Sequence, residues 1–259
     1  LAMSSTAIVS KMLSERLEID KPQGKVIMGA LLFQDLAVVP LLVLVPALAR
    51  DTENLTMALS LALIKAITLL ALLLVFGQRL MRVWFHFVVK ARSQELFMLN
   101  LLLITLGMAW LTEHIGLSLA LGAFVAGMLI AETEYRHQVE EDIKPFRDVL
   151  LGLFFITIGM QLDLKVVIAQ WWLVGLLVLG PMLIKFAIVV VVSKLFRQTT
   201  GTALRSGLAL ASAGEFGLVL VSLTDKVSLV PNAILQPVLA AMLLSMLATP
   251  FLMAASDRI

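Results

Sequence analysis

Cysteine is absent from the 259 residues, which excludes disulfides, thiolate metal centres and thiol redox chemistry within this stretch. Charge is scarce as well. Only 15% of residues are Asp, Glu, Lys or Arg against 60% hydrophobic, and the mean hydropathy is +1.00. That balance excludes an ordinary soluble domain and describes a polytopic membrane protein. Short segments of alternating polarity are missing, which excludes a transmembrane barrel; apolar runs of about 17 to 30 residues stand in their place and call for an all-α bundle. No signal peptide is visible, and residue 1 is a leucine inside an apolar run rather than a start methionine, so the chain is expected to be cut at its N-terminus. The net charge is only +2 and the pI about 9.0. In a membrane protein the placement of Lys and Arg outweighs their sum, and the expected partner is the lipid bilayer, with no nucleic acid.

Hydropathy and helix breakers divide the chain into nine membrane segments, at about 1–15, 24–48, 55–79, 95–113, 116–132, 146–162, 166–195, 203–224 and 231–254. The basic residues test that division. Lys11, Arg16, Lys21 and Lys25 go with the loop after segment one, and Arg79, Arg82, Lys90 and Arg92 with the loop after segment three. Arg136, Lys144 and Arg147 follow segment five, and Lys194, Arg197 and Arg205 follow segment seven. The alternate set of loops holds only Arg50, Lys165 and Lys226. Such an asymmetry predicts a multi-pass protein of the cell (inner) membrane with its basic loops and C-terminus in the cytoplasm. Lys65 and Lys185 are left inside membrane segments. The loops between segments are short, so no soluble domain is expected within the chain.

The second segment carries Leu31-Leu32-Phe33-Gln34-Asp35-Leu36 near its middle. A carboxylate at that depth costs a few kcal/mol at least, and such acids mark ion and proton paths more often than they merely bond a neighbouring helix. Ser4-Ser5-Thr6 in segment one and Ser212-Ala213-Gly214-Glu215 in segment eight are small, hydroxylated stretches able to interrupt a membrane helix. One interruption in each half predicts crossed discontinuous helices around a midplane site; for segment one, tight helix packing explains the same residues equally well. Glu215, an acid in an apolar run, needs a partner, either freed backbone amides or a basic residue. Lys185 reads as a counter-charge to Asp35 or Glu215, or as a lysine snorkelling to the surface. Lys65 has no motif around it. The stretch Glu132–Arg147 is the most charged of the chain and reads as a solvated loop.

Desolvation and a nearby cation move a carboxyl group's proton affinity in opposite directions, so a buried acid with a basic neighbour can exchange protons at working pH. If Asp35 holds either a proton or a dehydrated monovalent cation, never both, alternating access turns that exclusion into exchange. Gln34 offers a carbonyl oxygen without charge, and Ser5 and Thr6 complete an oxygen-rich shell suited to a hard ion. Asp35 would be the transient metal ligand; no resident cofactor is expected, K+ or Na+ and H+ being the substrates.

Ser4-Ser5-Thr6-Ala7-Ile8, Leu32-Phe33-Gln34-Asp35 with Pro40, Glu134-Tyr135-Arg136-His137, Pro145-Phe146, Gly152-Leu153-Phe154-Phe155, Gly159-Met160, Lys185 and Gly214-Glu215-Phe216 occur in order along the chain. Together they resemble the membrane domain of the cation:proton antiporter-2 family, most of all its Kef-type glutathione-regulated potassium efflux branch. The resemblance covers essentially the whole chain. It implies a thirteen-helix fold with inverted repeats, of which residues 1–259 would supply the last nine helices, and a homodimer. It further implies Asp35 as the cation- and proton-binding carboxylate, Gln34 as its neighbour, Lys185 as the core lysine and Glu215 as part of the second crossover. In Kef proteins the charged cytoplasmic loop is regulatory and acts through a soluble nucleotide-binding domain; here that loop reads His137-Gln-Val-Glu140-Glu141-Asp142, similar in acid placement but not identical, and the soluble domain is absent from the chain. Potassium over sodium rests on the resemblance alone.

Three other readings compete. A monovalent cation channel would conduct through the same interruption, although no Thr-Val-Gly-Tyr-Gly filter is present. A K+ efflux system gated by a cytoplasmic regulatory domain is the second. An intramembrane aspartyl protease would need two juxtaposed carboxylates sharing a proton, and Asp35 and Glu215, the two deep acids, lie far apart in sequence.

Overall fold

The structure is a computed structural model and describes residues 2–48, 60, 64, 67–68, 71, 75, 77–90, 93–226 and 230–256. Lys65 and most of the expected segment 55–79 lie outside the described residues, as do Arg50, Arg92 and Arg258. Among the described residues there are helices and no strands: α1 (Thr6–Glu15), α2 (Pro22–Leu48), α3 (Gln78–Lys90), α4 (Gln94–His114), α5 (Leu119–Ala131), α6 (Arg136–Met160), α7 (Leu164–Ala169), α8 (Trp171–Leu195), α9 (Thr200–Leu210), α10 (Glu215–Lys226) and α11 (Asn232–Ser256). Five stretches are long and apolar enough to cross a membrane: Pro22–Val45, Gln94–His114, Trp171–Leu195, Thr200–Lys226 taken through its break, and Asn232–Ser256.

Side-chain oxygens start the helices where the sequence puts Ser, Thr or Asp before an apolar run. Ser5, Ser93, Ser118, Asp163 and Thr199 each accept a hydrogen bond from a backbone N–H of the first turn that follows. Three helices end in the same way. After α1, α4 and α8 the residues Leu17, Gly116 and Arg197 turn left-handed (φ 53°, 88° and 58°), and Glu18, Leu117 and Gln198 donate back to Leu13, Thr112 and Ser193. Only one of these positions is glycine, so the other two carry a cost of about 1 kcal/mol each for the sake of their closed carbonyls.

The chain divides into two compact units. The first comprises Leu1–Val38 and Met160–Ile259. In it α11 is the spine, packed by α1, α7, α8, α9 and α10, and Val9, Leu13, Ile27, Leu31, Ala209, Leu210 and Met253 form a buried cluster. Leu32, Phe33 and Leu36 on α2 are exposed. In lipid an exposed leucine costs nothing, so helices associate there by close packing and polar contacts rather than by hiding apolar surface. The second unit, Val39–Gly159, holds α3 to α5 and nearly all of α6. Its closest pairing is α4 against α5, where a side-chain carbon at Gly122 would collide with Met108 and Ala109 of the facing backbone.

Two boundaries depart from the sequence reading. The charged stretch read as a loop is helical from Arg136 onward, and α6 runs through Pro145 into the expected span. Starting a helix costs far more than lengthening one, so an apolar segment already helical extends cheaply into polar sequence. The seventh segment, read as continuous over 166–195, is divided at Gln170, where a non-helical φ, ψ of −111°, 29° separates α7 from α8. Pro181, by contrast, sits inside an unbroken α8.

Candidate functional site

The site lies within the first unit, where two non-helical stretches meet: residues 2–5 leading into α1, and Ala211–Gly214 between α9 and α10. A side-chain carbon at Gly214 would run into the carbonyl of Ser4 and the amide of Ser5. Only glycine lets the two backbones touch. Gly214→Ala is therefore expected to push the two stretches apart and lower both melting temperature and transport, measured on purified protein; a variant melting like wild type would show that the contact is dispensable.

Non-helical backbone inside a low-dielectric medium leaves carbonyls and amides without the partners a helix would give them, and every such group needs another. Lys185 serves the carbonyl side. Its buried ammonium donates to Met3 O (3.1 Å), Ser4 Oγ (3.0 Å) and Ser212 O (2.5 Å). Ser4 Oγ passes a hydrogen bond on to Leu210 O, 2.8 Å away at the end of α9. A cation beside the negative ends of broken helices is the favourable arrangement of the peptide dipoles. Among the described residues no carboxylate lies within ion-pair distance of Lys185, so its counter-charge is this ring of oxygens rather than Asp35 or Glu215, and it does not snorkel.

The amide side carries the acids. Ser5 Oγ caps α1 by accepting from Ile8 N at 3.2 Å. Thr6 Oγ1 donates to Asp35 at 3.0 Å from both carboxylate oxygens. The next residue, Ala7, donates its N–H to Glu215 Oε1 at 3.1 Å. Two carboxylates from α2 and α10 thus converge on consecutive residues at the positive end of α1, where a helix favours negative charge. Glu215 Oε2 is buried without a hydrogen-bond partner. No hydrogen bond joins the two carboxyl groups to each other among the described residues. Asp35 is only partly buried and Ala7 is exposed, so this side is accessible from outside the unit. Gln34 Oε1 accepts from Ser4 N at 2.7 Å, bracing the extended stretch.

Ser5, Thr6, Gln34, Asp35, Lys185 and Glu215 therefore gather at one crossing. The sequence reading placed Ser4 in the first interruption but gave it no role of its own, where it joins Gln34, Lys185 and Leu210; it missed the α11 pair Ser245 and Thr249. Ala213 N donates to Ser245 Oγ (3.1 Å), and Thr249 Oγ1 to Ser212 Oγ (2.7 Å), satisfying the second interruption from outside. Their spacing of four on an apolar helix was the available signal. His137, Glu140, Glu141 and Asp142 are elsewhere, in the second unit on the first turns of α6. There Asp142 Oδ1 accepts from Gln94 Nε2 at 3.1 Å, Asp142 Oδ2 has no partner, and His137 Nε2 accepts from Arg136 Nε at 3.3 Å. Among the described residues no cluster of His, Asp and Glu has the make-up of a resident metal centre.

Non-helical stretches that cross among apolar, membrane-length helices beside two acids and an ammonium group are the arrangement in which ion sites of membrane proteins are built. The chain belongs to the sodium/hydrogen exchanger transmembrane family, whose family model matches residues 1–254. Among curated proteins it is similar to K(+) efflux antiporter 2, chloroplastic, of Arabidopsis thaliana, 41% identical over 100% of this chain and 23% of that protein. It is also similar to a putative K(+) efflux antiporter KefB of Alkalimonas amylolytica, 41% identical over 97% of this chain and 38% of that protein. The glutathione-regulated potassium-efflux system protein KefC of Escherichia coli is 34% identical over 100% of this chain and 42% of its own length. The chain thus spans less than half the length of these relatives.

Proposed function

We propose that this chain is the exchange core of a monovalent cation:proton antiporter, in which Asp35 binds a proton or a cation in turn and alternating access carries each across the membrane. The observation that carries the reading is the placement of Asp35 and Glu215 at the first turn of α1. Three features of that turn serve exchange. The bifurcated Thr6 contact holds both Asp35 oxygens in place without occupying all their lone pairs, so a bare cation finds a prepared acceptor. The peptide dipole keeps the site tolerant of charge when the proton has left. Glu215, with one oxygen uncommitted, is a second acceptor for the same ion.

The cation is K+ by analogy with what the similar proteins are named for, with Na+ as the alternative. The protein works as a homodimer in the cell (inner) membrane, its basic loops and C-terminus cytoplasmic, and the acids of His137–Asp142 answer to a soluble regulatory domain of the full-length transporter. Residues 1–259 correspond to the last nine of thirteen helices. The aspartyl protease reading gains little from the two acids having come together, because each is held by its own donor on α1, Asp35 by Thr6 Oγ1 and Glu215 by Ala7 N.

The test is ion substitution. Full-length protein in proteoliposomes under an imposed pH gradient should dissipate that gradient on adding KCl, more weakly with NaCl, and not with choline chloride. Voltage-driven cation current without proton movement would establish a channel instead and defeat the proposal.

A further inference from the structure

In the second unit, α3 shows three separate faces. Met81 and Phe85 are buried, with Phe85 against the rings of Phe97 (centroids 5.7 Å apart) and Tyr135 (5.9 Å). Leu80, Val83, Trp84 and Phe87 form an exposed apolar stripe. Arg79, Arg82, His86 and Lys90, spaced three and four apart and all exposed, form a basic one. Among the described residues no carboxylate lies within ion-pair distance of Arg79, Arg82 or Lys90. A short helix with a cationic stripe beside an aromatic and aliphatic one lies along a membrane surface rather than through it.

Beside the apolar stripe is a groove of about 310 Å³ lined by Phe87, Val88, Leu96, Leu99, Asn100 and Leu103. Five of the six lining residues are apolar, and the sixth is out of keeping. Asn100 is 7% exposed; its Oδ1 accepts from Trp84 Nε1, and its Nδ2 is buried with no acceptor. The Trp84–Asn100 hydrogen bond ties α3 to α4 at the floor of the groove.

We propose that α3 and this groove bind an anionic phospholipid. The headgroup lies against the basic stripe, its phosphate nearest Lys90 and within the field of Arg82 and Arg79, and an acyl chain lies along Phe87, Leu96, Leu99 and Leu103. Charge selects the lipid, because three cations with no ion-pair partner among the described residues match a net-negative headgroup and gain little from a zwitterionic one. Neither free phosphate, which has no chain for the groove, nor a fatty acid, which has no phosphodiester for the cationic stripe, uses both features.

The experiment is lipid titration of the delipidated full-length transporter in detergent, read by native mass spectrometry and by melting temperature. Phosphatidylglycerol should bind more tightly and raise the melting temperature more than phosphatidylcholine of the same chains. Arg79→Gln, Arg82→Gln and Lys90→Gln, all exposed and harmless to the fold, should weaken phosphatidylglycerol roughly fivefold for each charge removed and leave phosphatidylcholine unchanged. Equal affinity for the two lipids, a triple variant that keeps wild-type affinity, or an equal melting shift from inorganic phosphate would overturn the proposal.

Discussion

Asp35→Asn is expected to abolish cation-driven proton movement, down to the rate of protein-free vesicles, while insertion and melting stay near wild type. The amide has the size and shape of the carboxyl group and can still accept from Thr6, which lies 3.0 Å from both native oxygens. What it loses is the charge that a dehydrated cation needs and the proton site that must alternate with it. A mid-membrane charge is costly, so removing it does not unfold the protein, and the melting temperature is expected to hold or rise. Asp35→Glu keeps the chemistry but misplaces the oxygens by about one methylene, and should leave slow exchange. Measured by quenching of a pH-sensitive dye in proteoliposomes, residual gradient dissipation by Asp35→Asn on adding K+ or Na+ would contradict the assignment.

Lys185→Ala is expected to act in the opposite way, through stability. The ammonium reaches three oxygens, two of them backbone carbonyls of the non-helical stretches. Each stranded acceptor costs about 1 to 3 kcal/mol, so the loss is on the order of 3 to 5 kcal/mol before the cavity is counted. For a chain of this size that corresponds to a drop in melting temperature of roughly 10 °C. Lys185→Arg should rescue only part of it, because a planar fork cannot point at three converging oxygens as an ammonium does. Lys165, exposed on α7, is the comparison: its alanine variant should melt within a degree or two of wild type. A Lys185→Ala protein as stable as Lys165→Ala would show that the carbonyl ends are satisfied by other means.

Much of the site could be read before any coordinates. Ser4-Ser5-Thr6 and Ser212-Ala213-Gly214 stand out in apolar sequence because small and hydroxylated residues are what a membrane helix tolerates at a break, and the chain is non-helical at residues 2–5 and at Ala211–Gly214. Asp35 and Glu215 stand out because an acid in such a run must be answered by something. What answers them was not legible. Ala7 and Glu215 are 208 positions apart, and nothing in either local stretch announces the other. The pairing of Lys185 with a carboxylate was the natural inference from opposite signs, but freed carbonyls, which every residue possesses and no sequence displays, took its place. The helical course of Arg136–Arg147 was missed for a related reason, since a charged stretch reads as solvated whether or not it continues a helix.

Composition and order alone determined that this is an α-helical membrane protein, that an acid sits near the middle of one span, and where the chain leaves the helical path beside it. Those are properties of residues taken one at a time or in short runs, and the cost of placing each in lipid decides them. Only the tertiary structure decided which group neutralises which: the acids at the amide end of α1, the lysine among carbonyls, the hydroxyls of α11 closing the remainder. Electrostatic partnership inside a membrane depends on dipoles within a few ångströms, and the folded path of the chain, not its order, brings those dipoles together.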